Sequence, residues 1–267
     1  MSKKYTLSAE LHTQIARQLL EAEEKNSPIP VLTQTYPGMT EDDAYAIQWE
    51  GLRLRREQGE VVTGRKTGLT SRAVMEQLGW YSPDYAYITA STFMPEGTIC
   101  KRSELNAPLV EGELAFIMGE DLDKAYVTVA DIMNATSWVV PCIEICDTRY
   151  PSWKGVTALD SISDRAAGAR YILGSTPKRL NEINPRYIGM VVEKNGNLLG
   201  SAAGAEVLGS PVYAVAWLAN QLTEYGEYLK KGDVILSGAS MYADAAQAGD
   251  QYVITLDGFP SLSVKFE

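Results

Sequence analysis

Histidine is almost absent from this chain of 267 residues: there is one, His12, close to the N-terminus. A Ser-His-Asp triad, a Cys-His pair, an HExxH zinc site or a His-based facial triad would each have to be built on that single residue. Any acid–base chemistry must then rest on carboxylates, lysine, tyrosine or metal-bound water. Cysteine is scarce too. Cys100, Cys142 and Cys146 form no CxxC pair, and this odd count predicts reduced thiols and a cytoplasmic setting. No secretory h-region follows Lys3 and Lys4, because Glu10, His12 and Arg17 come next. The least polar stretch, 207–222, contains Ser210, Pro211, Asn220 and Gln221, so it reads as a core helix and not as a membrane span. Basic residues are in deficit, with 24 Lys and Arg against 34 Asp and Glu, and they form no run. A net charge of −10 argues against binding a nucleic-acid backbone.

What is present is a soluble globular composition, 45% hydrophobic and 22% charged, long enough for one large domain or two small ones. Leu11, Ile15 and Leu19 recur every four positions and predict an amphipathic helix, which Pro28 and Pro30 break. A second helix is predicted from Thr40, with Asp43 in a capping-box position, to Gly59. Residues 1–62 therefore read as a small helical lobe and 63–267 as a β-rich domain. Strands are predicted over 109–118, 138–146, 169–173, 187–193, 234–237, 252–256 and 262–266, with a hairpin signal at Asn195-Gly196. Helices are predicted over 128–135 and from Ser210 as N-cap, with Pro211 first inside, to a stop before Gly226. Strands outnumber helices without a regular βαβ rhythm, which predicts an α+β fold.

The strongest chemical signal is Glu111-Gly112-Glu113 inside an otherwise apolar strand. Residues i and i+2 of a strand share a face, so two carboxylates lie side by side. Burying such a pair is expensive unless a cation joins it. Gly112 between them leaves room for a close approach to the backbone. Glu144 lies in a similar apolar run, 139–146. Three such acids suit Mg²⁺ or Mn²⁺. The alternative is a pair of edge strands with their glutamates in water. Cys142 and Cys146 share the face of Glu144, either as soft ligands or as small buried hydrophobes. A second constellation is Gly64-Arg65-Lys66-Thr67-Gly68-Leu69-Thr70-Ser71, a loop leading into a helix capped by Thr70 or Ser71 and closed by Gly79. Its helix N-terminus suits a substrate carboxylate, and Lys66 is either a proton carrier or a surface lysine. Asp84, in Ser82-Pro83-Asp84-Tyr85, reads as a turn residue, and Asp164 as a cap. Ser237-Gly238-Ala239-Ser240, at a strand end, offers backbone and hydroxyls to a carboxylate.

Taken in order, 43–48, 64–71, 83–85, 111–116, 141–144 and 234–238 resemble the 2-keto-4-pentenoate hydratase / 4-oxalocrotonate decarboxylase group of the fumarylacetoacetase superfamily, over nearly the whole chain. The resemblance implies a helical N-terminal lobe on a mixed β-sandwich-like roll. It implies a divalent ion, Mg²⁺ or Mn²⁺, held by Glu111, Glu113 and Glu144. Lys66 and Asp84 would transfer protons and orient substrate or water. Leu69, Thr70, Ser71, Asp164, Arg165 and Ser237 would lie beside the substrate. The implied reaction is addition of water to 2-hydroxypenta-2,4-dienoate, or a close dienoate, in meta-cleavage degradation of aromatic compounds. The alternative is decarboxylation of 2-oxohex-3-enedioate. The resemblance further implies a cytoplasmic homo-oligomer, with a hydratase or decarboxylase partner enzyme as a candidate companion. The chain departs from the group at Leu109, where arginine is usual before the first metal Glu. It departs again at Arg165, where asparagine is usual, and at Ser210, where histidine is frequent. Arg165 is an extra cation that would suit a dicarboxylate. A C–C bond hydrolase of the same superfamily is disfavoured because His12 lies outside every motif, and a non-catalytic partner subunit is opposed by the retained acids.

Overall fold

In the computed structural model, which describes residues 3–78 and 80–267, the chain opens with α1 (Ala9–Lys25), the short α2 (Leu32–Thr35) and α3 (Glu41–Glu57). Ser8 caps α1 through Leu11 N–H, and the αL residue Asn26 ends it. Thr40 and Asp43 close the expected capping box on α3. Next come β1 (Val62–Gly68), α4 (Arg72–Leu78), β2 (Asp84–Thr89), β3 (Phe93–Met94), β4 (Ile99–Cys100) and β5 (Leu109–Met118). They are followed by α5 (Val129–Ala135), β6 (Thr136–Cys146), α6 (Ala158–Ser163), β7 (Gly168–Leu173), β8 (Gly189–Lys194) and β9 (Asn197–Ala203). The chain ends with α7 (Pro211–Thr223), β10 (Val234–Leu236), β11 (Asp244–Ala245), β12 (Gln251–Leu256) and β13 (Leu262–Phe266).

The strands form two sheets. Eight strands run in the order β2-β1-β10-β5-β6-β7-β3, with β11 on the end of β5, and five in the order β4-β13-β12-β8-β9. Most pairs are antiparallel, but β1 pairs β10 and β3 pairs β7 in parallel, so the larger sheet is mixed. Helix and sheet are interleaved along the chain, and the α+β expectation holds. The period-two alternation of β5 and β6 separates two environments. Val110, Leu114, Phe116, Ile143 and Ile145 join the large apolar core, whereas Ala115, Val140 and Cys142 face the opposite side with Leu236 and Tyr171. Gly112 belongs to the packed face. A Cβ there would meet Met190 Sδ at 2.7 Å and Ile254 Cγ2 at 2.9 Å, so the glycine admits the second sheet and not a ligand.

Several local expectations are corrected. Residues 64–68 continue β1 and are not a loop, because β2 and β10 pair with them on both sides. Gly64 is required there by the close passage of β10: a Cβ would lie 1.8 Å from Val234 O. Asp84 is the first residue of β2, opposite Gly68, and not a turn residue. Ser210 precedes α7 but its side chain makes no capping hydrogen bond. Gly79 lies outside the described residues. The hairpin at Asn195-Gly196 joins β8 to β9 as expected. No helix among the described residues is long and apolar enough to cross a membrane.

Asp43 does more than cap α3. Its carboxylate accepts hydrogen bonds from Thr6 N and Oγ1, Leu7 N, Thr40 N and Oγ1, and its Oδ1 lies 2.8 Å from His12 Nε2. The chain's one histidine is thus buried as a structural partner of α3. Burial alone would raise the Asp43 carboxyl, but these hydrogen bonds, led by Thr40 and His12, hold it well below its ordinary 3.8. We expect Asp43→Ala to destabilise the protein by about 3 kcal/mol in denaturant titration, because several donors lose one charged acceptor. The Asp43 contribution is complete above the ordinary value of 3.8 and is lost as pH falls towards the depressed native one. The difference between wild type and Asp43→Ala should therefore shrink on acidification.

Candidate active site

The register of β5 against β6 places Glu111 directly opposite Glu144, Glu113 opposite Cys142, and Leu109 opposite Cys146. All six side chains fall on the face away from the main core. β1 adds Lys66 and β2 adds Asp84 to this face. Lys66, Asp84, Glu113 and Glu144 are each 2% exposed or less. Lys66 is the cation among them. Its Nζ lies 2.6 Å from Glu144 Oε1, donates to Ala166 O at 2.8 Å and lies 3.8 Å from Cys146 Sγ. Burial works against its charge, but Cys146, Glu144 and Glu111 raise the ammonium well above the ordinary lysine range.

The acids outnumber that one cation. Glu113 Oε2 accepts from Gly238 N at 2.7 Å, while its Oε1 has no partner. Glu144 Oε2 and Asp84 Oδ1 are likewise buried without partners. Desolvation, reinforced by Glu144, pushes Glu111 up to about 7, and raises Glu113 well above the ordinary carboxylate range. Desolvation pushes Asp84 up to about 6 against the pull of Lys66. Ligand atoms of Glu111, Glu144 and Cys146 lie within 4.8 Å of one another. Buried, unpartnered oxygens on mutually repelling acids are what a divalent cation would satisfy, so the residues present fit such an ion.

A cavity of about 390 Å³ opens onto this cluster. Lys66, Leu69, Thr70, Ser71, Asp84 and Glu111, all expected at the site, line it. Glu144 sits behind Lys66. Loop 69–71 is held by β10 and its sequel: a Cβ on Gly238, which has φ +95°, would meet Thr70 Oγ1 at 2.2 Å. Gly68 carries no side chain because Asp84 occupies the space, with Oδ1 2.3 Å from a built Cβ. The opposite wall was not legible as a site in the sequence. Trp153, Val156, Met241 and Tyr242 supply its apolar surface, and Thr157 and Ser161 its hydroxyls. Trp153 Nε1 donates to Ala107 O at 2.7 Å, and Asp160 of α6 binds Thr33 N at 2.8 Å, so the wall is tied to the sheet and to α2. A tryptophan inside the Gly- and Ser-bearing stretch 152–155 was the one available signal.

Five expected residues do not line the cavity: Glu144, which reaches the cluster beside Lys66, and four more. Glu113 turns to Gly238 and lines a smaller void with Ser237. The Ser237 hydroxyl donates to Leu114 O at 2.7 Å, within the sheet. Asp164 is ion-paired to Arg149 and accepts from Arg149 N at 2.9 Å. Arg165 points away, donating to Gly168 O at 2.7 Å and to Glu23 Oε1 of α1 at 2.9 Å. Its Nη2 is therefore committed while Nη1 is buried without a partner, and among the described lining residues Lys66 is the one cation. Arg165, Ala166 and Ala167 all have left-handed φ, at +57°, +44° and +56°. Non-glycine residues rarely adopt that region, and three in succession require external anchors. Arg149–Asp164 and Arg165–Glu23 supply them, and the turn they hold presents Ala166 O to Lys66.

A curled mixed sheet carrying buried acids and one lysine beneath a half-apolar cavity defines a fold class with an enzyme-like site. The chain belongs to the family described as fumarylacetoacetate (FAA) hydrolase C-terminal, whose pattern matches residues 65–267. It is 36% identical over 261 residues to a 4-oxalocrotonate decarboxylase of Pseudomonas putida, covering 98% of each chain. It is 37% identical over 252 residues to a 2-hydroxyhexa-2,4-dienoate hydratase of Comamonas testosteroni, covering 94% of this chain and 95% of that one. Among solved structures, a 4-oxalocrotonate decarboxylase from Pseudomonas putida G7, complexed with magnesium and adipate, superposes with a TM-score of 0.95 at 33% identity, covering 99% of this chain and 100% of that one.

The raised carboxyls give a signed expectation. Glu111 and Asp84 bind protons more tightly folded than unfolded, so ion-free protein loses stability as pH rises from their ordinary values, 4.5 and 3.8, through about 7 and about 6. Thermal unfolding in EDTA should show a falling midpoint from about pH 5 to about pH 7.5, and saturating divalent cation should remove that fall, because the ion stabilises the charged forms.

Proposed function

We propose that the chain is a metal-dependent hydro-lyase that adds water to 2-hydroxypenta-2,4-dienoate, or a close dienoate, to give a 4-hydroxy-2-oxo acid. The observation that carries this reading is Asp84. It is a buried carboxyl with a free oxygen, pushed up to about 6, at the cavity end that also holds Lys66 and Glu111. A group near neutrality can both hold and release a proton. The relatives named as hydratases support the same reading.

Glu111, Glu113 and Glu144 would hold the divalent ion, Mg²⁺ or Mn²⁺, with Glu113 turning from Gly238 to do so. When bound, the ion supplies Lewis-acid stabilisation of negative charge on the 2-oxygen of the substrate. Thr70 and Ser71 offer hydroxyls to the substrate carboxylate, and Leu69 packs beside it. Lys66, held by Glu144 and Ala166 O, balances the anion and carries a proton to the carbon chain. Asp84 orients the water that adds at C4 and takes its proton. The apolar wall of Trp153, Val156 and Met241 covers the hydrocarbon end and excludes bulk water. Arg165, Asp164 and Ser237 act behind the site: the first two hold the 165–167 turn and the third fixes β10 to β5.

A second reading, decarboxylation of 2-oxohex-3-enedioate, is favoured by the decarboxylase relatives and by the adipate complex of one of them. The commitment of Arg165 to Glu23 counts against it, since Lys66 alone would face two carboxylates. We further infer a role in meta-cleavage degradation of aromatic compounds, a cytoplasmic homo-oligomer, a partner hydratase or decarboxylase as companion, and a lobe boundary near residue 62.

The test is an ultraviolet assay with Mg²⁺ and an EDTA control. Loss of the dienol absorbance of 2-hydroxypenta-2,4-dienoate, with 4-hydroxy-2-oxopentanoate as product, is expected. Release of CO₂ from 2-oxohex-3-enedioate without hydration would replace the hydratase reading by the decarboxylase one. Lys66→Met and Asp84→Asn should each lower kcat by about 10²–10⁴, and Glu111→Gln and Glu144→Gln should weaken Mg²⁺ binding measured by calorimetry. Unchanged Mg²⁺ affinity in both glutamine variants would overturn the assignment of the ion.

A further inference from the structure

Cys146 is not needed by the reaction above, yet it stands inside the acid cluster. It is the last residue of β6, two positions after Glu144 and on the same face, opposite Leu109. Its thiol lies 3.6 Å from Glu111 Oε2 and 3.8 Å from Lys66 Nζ, and it lines the cavity. The three side chains with ligand atoms within 4.8 Å of one another are Glu111, Glu144 and this cysteine; Glu113 is turned to Gly238. Glu144, 1% exposed, belongs to the same cluster and keeps a buried oxygen with no partner, which a cation would satisfy. Cys142 is also buried in β6 but pairs across to Glu113 and lies outside that cluster.

We propose that Cys146 is a ligand of the divalent ion, so that the donor set of this chain is a thiolate with carboxylates. The inference rests on the reading that the cluster holds such an ion. A hard all-oxygen set suits Mg²⁺ and Mn²⁺, whereas thiolate shifts preference towards borderline and soft ions such as Co²⁺, Zn²⁺ and Cd²⁺. Ligation replaces the S–H bond by an S–metal bond, and the proton leaves to solvent. The site is then open to capture by soft ions in a way that an all-carboxylate site is not.

Cadmium is the probe. Full-length protein, stripped with EDTA and kept anaerobic, is titrated with Cd²⁺ while ultraviolet absorbance and heat are recorded. One equivalent should develop the thiolate-to-cadmium charge-transfer band. Cys146→Val should abolish the band and weaken Cd²⁺ by about tenfold or more, the scale on which even an outer-sphere partner is felt. Cys142→Val should retain the band, and Mg²⁺ affinity should change by less than about threefold in Cys146→Val, because Mg²⁺ gains little from sulfur. Cys146→Ser serves if the valine variant does not fold, judged by circular dichroism, and should lose the band equally. Binding of Cd²⁺ without the band, or a band that survives in both Cys146 variants, overturns the proposal and leaves the carboxylate ion site intact. Absence of any Cd²⁺ or Mg²⁺ heat in wild type removes the ion reading itself.

Discussion

The structure turns on one electrostatic mismatch. Glu111, Glu113, Glu144 and Asp84 share a single sheet face with one lysine, and three of the four acids keep a buried oxygen without a partner. No arrangement of Lys66 can satisfy them all, because its ammonium is already divided between Glu144 and Ala166 O. Such a face is tolerable only where the fold does not rely on it for stability. The period-two split of β5 and β6 provides this. Phe116, Leu114, Ile143 and Ile145 build the main core from the other side of the same strands, against the five-stranded sheet. Stability and reactivity thus occupy opposite faces, and a shift of one residue in register would exchange them.

The N-terminal helices support the site without lining the cavity. Glu23 of α1 binds both Arg55 of α3 and Arg165, and the pair of arginines holds its carboxyl well below the ordinary range despite burial. Arg165 begins the left-handed turn whose middle residue, Ala166, accepts a hydrogen bond from Lys66 Nζ at its carbonyl oxygen. The strain of that turn is therefore balanced by an ion pair to α1, with Arg149 and Asp164 on the other side. Asp160 and Thr33 add a second tie, between α6 in the cavity wall and α2. An apolar cluster containing Ile15, Ala44 and Ile47 alongside Tyr85, Phe116 and Ile235 continues from the N-terminal helices into the sheet. Helices α1 and α3 consequently support the 165–167 turn.

Much of this was legible residue by residue, and the failures have physical causes. Glu111, Glu113 and Glu144 stood out because acids in apolar strands violate the usual pattern, and period two gave their shared face. Lys66 was visible as one of two readings, proton carrier or surface lysine, Asp84 gained a chemical role only through the family resemblance, and neither was visible as a strand residue. Gly64 and Gly68 read as loop punctuation, whereas they are glycines because Val234 O and Asp84 leave no space for a Cβ. Arg165 read as a cation for a substrate because sequence carries no direction, and the structure turns it to Glu23, 142 positions away in the chain. The wall of Trp153, Val156, Met241 and Tyr242 is assembled from two distant segments, and no local pattern brings them together.

That wall is also where the chemistry must be decided. A decarboxylase and a hydratase stand at 36% and 37% identity to this chain, so overall similarity does not separate the two reactions. Both would pass through negative charge stabilised at the same end of the substrate, which explains why one acidic face serves either. They differ in what the far end requires. Loss of CO₂ requires a carboxylate to be seated there and then desolvated, whereas addition of water requires a proton acceptor within reach of C4 and an uncharged tail. In this chain the far wall is mainly tryptophan, valine and methionine, with hydroxyls from Thr157, Ser161 and Tyr242 but no cation, the Arg165 guanidinium is tied to α1, and Asp84 is an acid with a free oxygen lining the cavity. Those three placements favour hydration on chemical grounds, independently of the identity figures.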